Sequence, residues 1–107
     1  MLTLFSLPVA ISLIRVSENK ISYPGDYVSI YCIFTGNRLE DLHWLKDDKP
    51  LQAQRLKFEI HIASTGHYRT KFMGFIYNIG DEDFGEYSCV ASNSYGTVKG
   101  SISVQGK

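Results

Sequence analysis

Apolar and polar side chains alternate along most of this chain with a period of two, the spacing of a strand that buries one face. Val28, Ile30, Cys32 and Phe34 share one face of residues 27–34, with Tyr27, Ser29, Tyr31 and Ile33 on the other. Leu56, Phe58, Ile60 and Ile62 alternate with Lys57, Glu59 and His61, which predicts a half-buried strand over residues 55–62. In residues 86–92 Tyr87, Cys89 and Ala91 point inward, and Ser88, Val90 and Ser92 outward. Residues 97–104 place Gly100, Ile102 and Val104 inward, and residues 42–46 place Leu42 and Trp44 inward with His43 outward. A further strand is expected over residues 68–79. Clusters of turn formers punctuate these runs: Ser22 to Asp26, Asp47 to Pro50, Ser64 to His67, and Asn93 to Gly96. No stretch carries a helical period. Short strands between regular turns predict an all-β sandwich.

Residues 1–14 carry no charged side chain and are too short for a membrane-spanning helix. Two readings stand. As a signal peptide, the stretch offers an apolar run and small residues at Ala10 and Ser12, but no basic start. As structure, Pro8 opens an edge strand in which Val9, Ile11 and Leu13 alternate with Ala10, Ser12 and Ile14. The strand reading is preferred. It makes residues 1–7 a linker remnant, residues 8–104 one domain, and residues 105–107 a terminus or the start of a linker.

At 107 residues the chain has the length of one domain. Eleven basic and eleven acidic residues give a net charge of zero. That balance removes the electrostatic case for nucleic acid or an anionic membrane surface. Seven Tyr and six Phe suit pleated, half-buried surfaces.

One stretch organises the rest: Asp83-Phe84-Gly85-Glu86-Tyr87-Ser88-Cys89. Gly85 permits a tight turn, and Tyr87 and Cys89, two apart, face the core together. With Cys32 and Trp44 upstream, the order Cys, Trp, Tyr, Cys resembles an immunoglobulin (Ig) domain, a Greek-key sandwich of two antiparallel sheets. The resemblance implies a Cys32–Cys89 disulfide, Trp44 packed beside it, and a tyrosine corner built from Asp83, Gly85 and Tyr87. A disulfide in turn implies an extracellular or cell-surface location; reduced thiols in a cytoplasmic, sarcomeric Ig protein are the alternative.

More narrowly, the chain resembles intermediate-set domains, and among them the third Ig domain of the lachesin, IgLON and Dpr-interacting-protein group of neural cell-surface molecules. The residues that carry this are Tyr68-Arg69-Thr70-Lys71, Ile76-Tyr77-Asn78-Ile79, and the run Cys89-Val90-Ala91-Ser92-Asn93-Ser94-Tyr95-Gly96 with Gly100 and Ile102 beyond it. The group implies a non-catalytic module that binds proteins or spaces its neighbours. Gly74 departs from the pattern, which has a large apolar residue there. Either Phe72 and Ile76 fill the gap, or a bulge turns Phe75 inward.

Catalytic and ligand chemistry finds little footing. His43, His61 and His67 have no metal-ligand spacing, and Asp81, Glu82 and Asp83 read as a solvated turn. No nucleophile and base converge, so no enzyme, cofactor or small-molecule substrate is expected. A membrane association would come only through a parent chain. Asn19, Asn37, Asn78 and Asn93 all fail the Asn-x-Ser/Thr pattern. The candidate interface is the outer face of one sheet, where Tyr31, Ile33, Met73, Phe75 and Tyr77 form a contiguous apolar patch. The opposite outer face, with His43, Leu45, Ser88, Val90 and Ser101, reads as small and polar.

Overall fold

The computed structural model describes residues 9–66 and 68–107. Nine strands are defined among them: β1 (Ser12–Val16), β2 (Lys20–Ser22), β3 (Val28–Thr35), β4 (Asp41–Lys46), β5 (Lys49–Leu51), β6 (Phe58–Gly66), β7 (Arg69–Ile76), β8 (Gly85–Asn93) and β9 (Gly96–Gly106). A single 3-10 turn, Asp81–Asp83, precedes β8. The strands form two sheets, one in the order β1-β3-β7-β6 and the other β2-β9-β8-β4-β5. Their inner faces enclose one core, in which Cys32, Trp44, Phe34, Phe72, Tyr87 and Cys89 are completely buried. The period-two pattern therefore does what it predicts: in β3 buried positions alternate with exposed or half-buried ones from Val28 to Thr35.

The first strand is split between the sheets. β1 pairs antiparallel with β3, with a bulge between Leu13 and Arg15. The chain then crosses over, and β2 pairs in parallel with Val104 to Gly106 of β9. Among the described residues this is the one parallel ladder, and it keeps β9 in register to Gly106, past the expected end at Val104. The crossing needs room at Gly100. A Cβ there would lie 2.8 Å from Leu13 Cδ2, 2.9 Å from Val16 Cγ2 and 3.2 Å from Cys89 Sγ. The residues expected as a linker, 1–7, and Pro8, expected to open the first strand, lie outside the described residues; the strand expected from there is defined only from Ser12, and residues 9–11 are not part of it.

Four further expectations change. The strand expected over residues 68–79 ends at Ile76, and Asn78 lies beyond it at φ +49. Asp47 and Asp48 alone make the turn after β4, both at positive φ, and Lys49 and Pro50 belong to the short edge strand β5. Proline is tolerated there because an edge strand need not donate on its open side. Leu56 is turned out. Gln54 and Phe58 exchange both backbone hydrogen bonds at 2.8 Å, and the tight turn they close puts Leu56 at φ +64 with its side chain in solvent. The strand therefore starts at Phe58, and Ile62 is also exposed because the facing sheet ends in the three-residue β5. Finally, β6 continues through Ser64, Thr65 and Gly66, so the hairpin to β7 is tighter than the sequence suggests.

Candidate functional site

The frame that holds the surface in place is built around β8. Cys32 and Cys89 are joined by a disulfide, with Cα atoms 6.5 Å apart. Trp44 stacks on Phe72 at 5.2 Å in the same buried cluster, and its indole N–H meets no acceptor among the described residues. The Tyr87 hydroxyl donates to the Asp83 carbonyl at 2.6 Å, closing the corner. Burial, and then the nearby Asp83 carboxylate, raise the Tyr87 hydroxyl well above the usual tyrosine range. Asp83 also accepts from the Gly80 N–H at 2.9 Å and pairs with the Lys57 ammonium. Gly85 lies at φ +151, and a Cβ there would sit 2.7 Å from the Asp47 carboxylate. That carboxylate takes the Glu86 N–H at 2.9 Å; this bond, and then Lys46, hold it below the usual carboxylate range.

Gly74 does not create the gap that the sequence suggests. The ladders to β3 and β6 run through it without a bulge, so Phe75 stays outward. Neither Phe72 nor Ile76 fills the space. The Phe58 ring does, with Trp44 behind it: a Cβ on Gly74 would lie 2.9 Å from Phe58 Cζ and 3.3 Å from Trp44 Cε2.

The register that follows places the predicted patch on the outer face of the four-stranded sheet. Three rows cross β3, β7 and β6: Ser29–Phe75–Glu59, Tyr31–Met73–His61 and Ile33–Lys71–Ala63. Tyr31, Ile33, Met73, Phe75 and Tyr77 are all half-buried. Their partners dress the patch with polar groups. Tyr27, which the sequence reading leaves out of the patch, stacks on Phe75 at 6.0 Å and lies 5.1 Å from Tyr77. His61 meets the Phe75 ring edge-on at 5.0 Å, and the Lys71 ammonium sits 4.5 Å above the Tyr31 ring. The Tyr77 hydroxyl donates to Glu59, and that bond pushes its ionisation up to about 12. The face is thus an aromatic stripe edged by Glu59, His61 and Lys71.

On the opposite sheet Ser88 and Val90 face outward yet are buried, correcting their expected exposure. β8 is a central strand, and His43, Leu45, Lys99 and Ser101 flank these two positions from both sides. Ser88 and Ser101 share a hydroxyl contact at 3.3 Å. Of the histidines, His43 pairs with Asp41 at 3.1 Å and His61 approaches Glu59 at 4.0 Å; His67 lies outside the described residues.

Asn93 does more than sit in a hairpin. Its amide donates to Val9 O at 2.7 Å and Asn37 O at 3.2 Å, while its carbonyl accepts the Tyr95 N–H at 2.8 Å. One side chain ties together the entry of the chain, the loop after β3 and the β8–β9 turn. The only sequence signal is its place just before a two-residue turn.

Known proteins resemble this chain. Mouse Hemicentin-2 is 35% identical over 80 residues, which is 75% of this chain and 1% of that protein. Human Leucine-rich repeats and immunoglobulin-like domains protein 2 is 35% identical over 85% of the chain and 8% of its own length. Rat Neural cell adhesion molecule L1 is 26% identical over 78% of the chain and 6% of its own length. The chain thus spans a small part of these relatives. Among solved structures, the complex of Dpr2 Ig1-Ig2 with DIP-Theta Ig1-Ig3 superposes with TM-score 0.78 at 22% identity, over 94% of this chain and 32% of that one. Titin A168169 superposes with TM-score 0.82 at 22% identity, over 92% and 49%. These two share the fold. The model of the Immunoglobulin I-set domain matches residues 12–105, from the first strand to the last, and the chain belongs to that family.

Proposed function

We propose that this domain is a non-catalytic protein-binding and spacing module of a cell-surface adhesion or recognition protein, presented outside the cell. Domains of this family are generally non-catalytic. The observation that carries the reading is the difference between the two outer faces. One presents His43, Leu45, Lys99 and Ser101 around the buried Ser88 and Val90, with no stacked rings among the described residues; the other is the stripe of Tyr27, Tyr31, Met73, Phe75 and Tyr77, whose ring-rich, charge-edged make-up is that of a protein contact. Tyr31, Ile33, Met73, Phe75 and Tyr77 are its contact residues. The Cys32–Cys89 bridge supports an oxidising compartment. The neural cell adhesion molecule L1 among the relatives, and the likeness of residues 68–102 to the lachesin, IgLON and Dpr-interacting-protein group, support the adhesion reading.

The test has two arms. An antibody to this domain is applied to intact and to permeabilised cells that express its parent, with thiols trapped at lysis. Labelling of intact cells, with thiols alkylated only after reduction, is the expected result. Labelling confined to permeabilised cells, with both thiols free, overturns the cell-surface reading in favour of an intracellular structural module. In the second arm the domain is multimerised and applied to neural cells. Binding should fall at least tenfold with Met73→Lys plus Phe75→Lys and survive Ser101→Lys; equal loss or equal survival removes this face as the contact.

A further inference from the structure

A sandwich of two open sheets has four edges, and each exposed edge is a template for another strand unless something guards it. Three are guarded here. β1 is broken by its bulge and carries Arg15. β2 has three residues, one of them Lys20. β5 also has three, and includes Lys49 and Pro50. The fourth, β6, runs for nine residues, Phe-Glu-Ile-His-Ile-Ala-Ser-Thr-Gly, with no proline and no lysine and with Glu59 as its only carboxylate; its one register shift falls at its far end, between Ser64 and Gly66, and leaves residues 58–64 regular.

The hydrogen-bond phase shows which groups face that edge, which no other described strand covers. The Tyr77 N–H donates to Lys57 O at 2.9 Å. Bonded and non-bonded pairs alternate along an antiparallel ladder, so Glu59, His61 and Ala63 bond toward β7. Phe58 turns its N–H and C=O the other way, where Gln54 takes both. Ile60, Ile62 and Ser64 turn the same way as Phe58, beyond the reach of that bridge. Ile62, at the middle of these three, is 59% exposed.

We propose that β6 pairs edge to edge with β6 of a second copy of this chain, antiparallel about a two-fold axis at Ile62. This goes beyond the binding face proposed above. The strand is its own complement in that register: Ile62 meets Ile62, Ile60 meets Ser64, and His61 meets Ala63. All three outward residues find backbone partners on both N–H and C=O. No like charges oppose, because Glu59 falls opposite Thr65, and a net charge of zero puts no long-range repulsion between copies. The two four-stranded sheets become one of eight strands, and their aromatic outer faces become continuous. The contact is small, so the pairing is weak and transient in solution and gains strength where copies are concentrated on a surface.

Residue-resolved hydrogen exchange across a dilution series of the 107-residue chain, with sedimentation velocity alongside, tests this. When nine-tenths of the chain is paired, exchange at Ile60, Ile62 and Ser64 should slow about tenfold, while Glu59, His61 and Ala63 are protected at every concentration. Ile62→Pro should abolish the pairing without unfolding the domain, because the N–H it removes points away from the β6–β7 ladder. Ile62→Lys gives the same readout through the side chain should the proline variant fail to fold. Phe75→Lys leaves pairing intact, which separates this surface from the outer-face contact. A chain that stays monomeric at millimolar concentration, a dimer protected at other amides, a dimer that survives both Ile62 variants, or occupation of this edge by an extended peptide alone overturns the proposal.

Discussion

Substituting Gly74 by alanine sets two effects against each other, and the structure decides between them. Alanine for glycine within a strand gains about 0.5–1 kcal/mol, because the unfolded chain has less freedom to lose. The backbone at Gly74 is not in the left-handed region, so no conformational penalty opposes this. Space does. The new methyl would lie 2.9 and 3.1 Å from two carbons of the Phe58 ring and 3.3 Å from Trp44 Cε2. Neither ring is free to move: Phe58 is 3% exposed and Trp44 0%. Overpacking a closed core costs about 1–3 kcal/mol, so Gly74→Ala should destabilise by about 1 kcal/mol net, a fall of roughly 4–8 °C in Tm for a domain of this size. Urea denaturation of four proteins checks the cause: the natural chain, Gly74→Ala, Phe58→Leu and the double variant. Leucine removes the ring carbons that the methyl would strike, at a cost of up to about 1.5 kcal/mol on its own. The double variant should then be more stable than the sum of the singles by about 1 kcal/mol, since neighbours that share a space are not additive. A Gly74→Ala chain as stable as the natural one, or strict additivity in the double, would refute the steric account.

Tyr87→Phe leaves the Asp83 carbonyl without its buried donor and should cost about 1–3 kcal/mol by chemical denaturation, with the disulfide intact. Tyr77 should titrate near 12 by ultraviolet absorbance, and Glu59→Gln should bring it back toward the ordinary 10. The sign follows: folding favours the neutral phenol, so this contribution to stability is complete below pH 10 and is lost as the pH rises through about 12. Asn93→Asp keeps an acceptor for the Tyr95 N–H but loses both donations, to Val9 O and Asn37 O. It should therefore destabilise as much as Asn93→Ala, by about 1–3 kcal/mol, as read from Tm.

What the sequence shows of this domain follows from what a period of two can and cannot encode. Cys32, Trp44, Tyr87 and Cys89 are legible because long strands bury every second residue and the corner demands a particular residue at each place. β2 and β5 are not, since three residues hold no period, and β2 owes its strand to a parallel partner more than eighty positions away. Leu56 misleads because alternation cannot see a residue at positive φ, and a Gln54–Phe58 bridge leaves no mark in composition. Ser88 and Val90 mislead for a different reason: facing outward is set by the strand, but exposure is set by the long side chains of the strands on each side. The outer-face stripe is legible as five residues, while Tyr27, His61, Lys71 and Glu59, which dress it, come from cross-strand neighbours that only register can supply.

Register also explains why the residue that departs from the family pattern matters to the surface. On a two-sided strand, a slip by one position exchanges the buried and exposed sets. β7 carries large side chains in both sets, with Phe72 and Ile76 inward and Met73 and Phe75 outward, so hydrophobicity alone separates the two registers weakly. Gly74 breaks the tie. It lies between Ile30 on β3 and Ile60 on β6, where the Phe58 ring reaches across. Slip β7 by one, and Met73 or Phe75 would have to occupy the volume of that ring. The missing side chain in the core thus specifies which face of β7 is the outer one. It holds Met73 and Phe75 beside Tyr31 and Tyr27, on the surface through which this domain is proposed to bind.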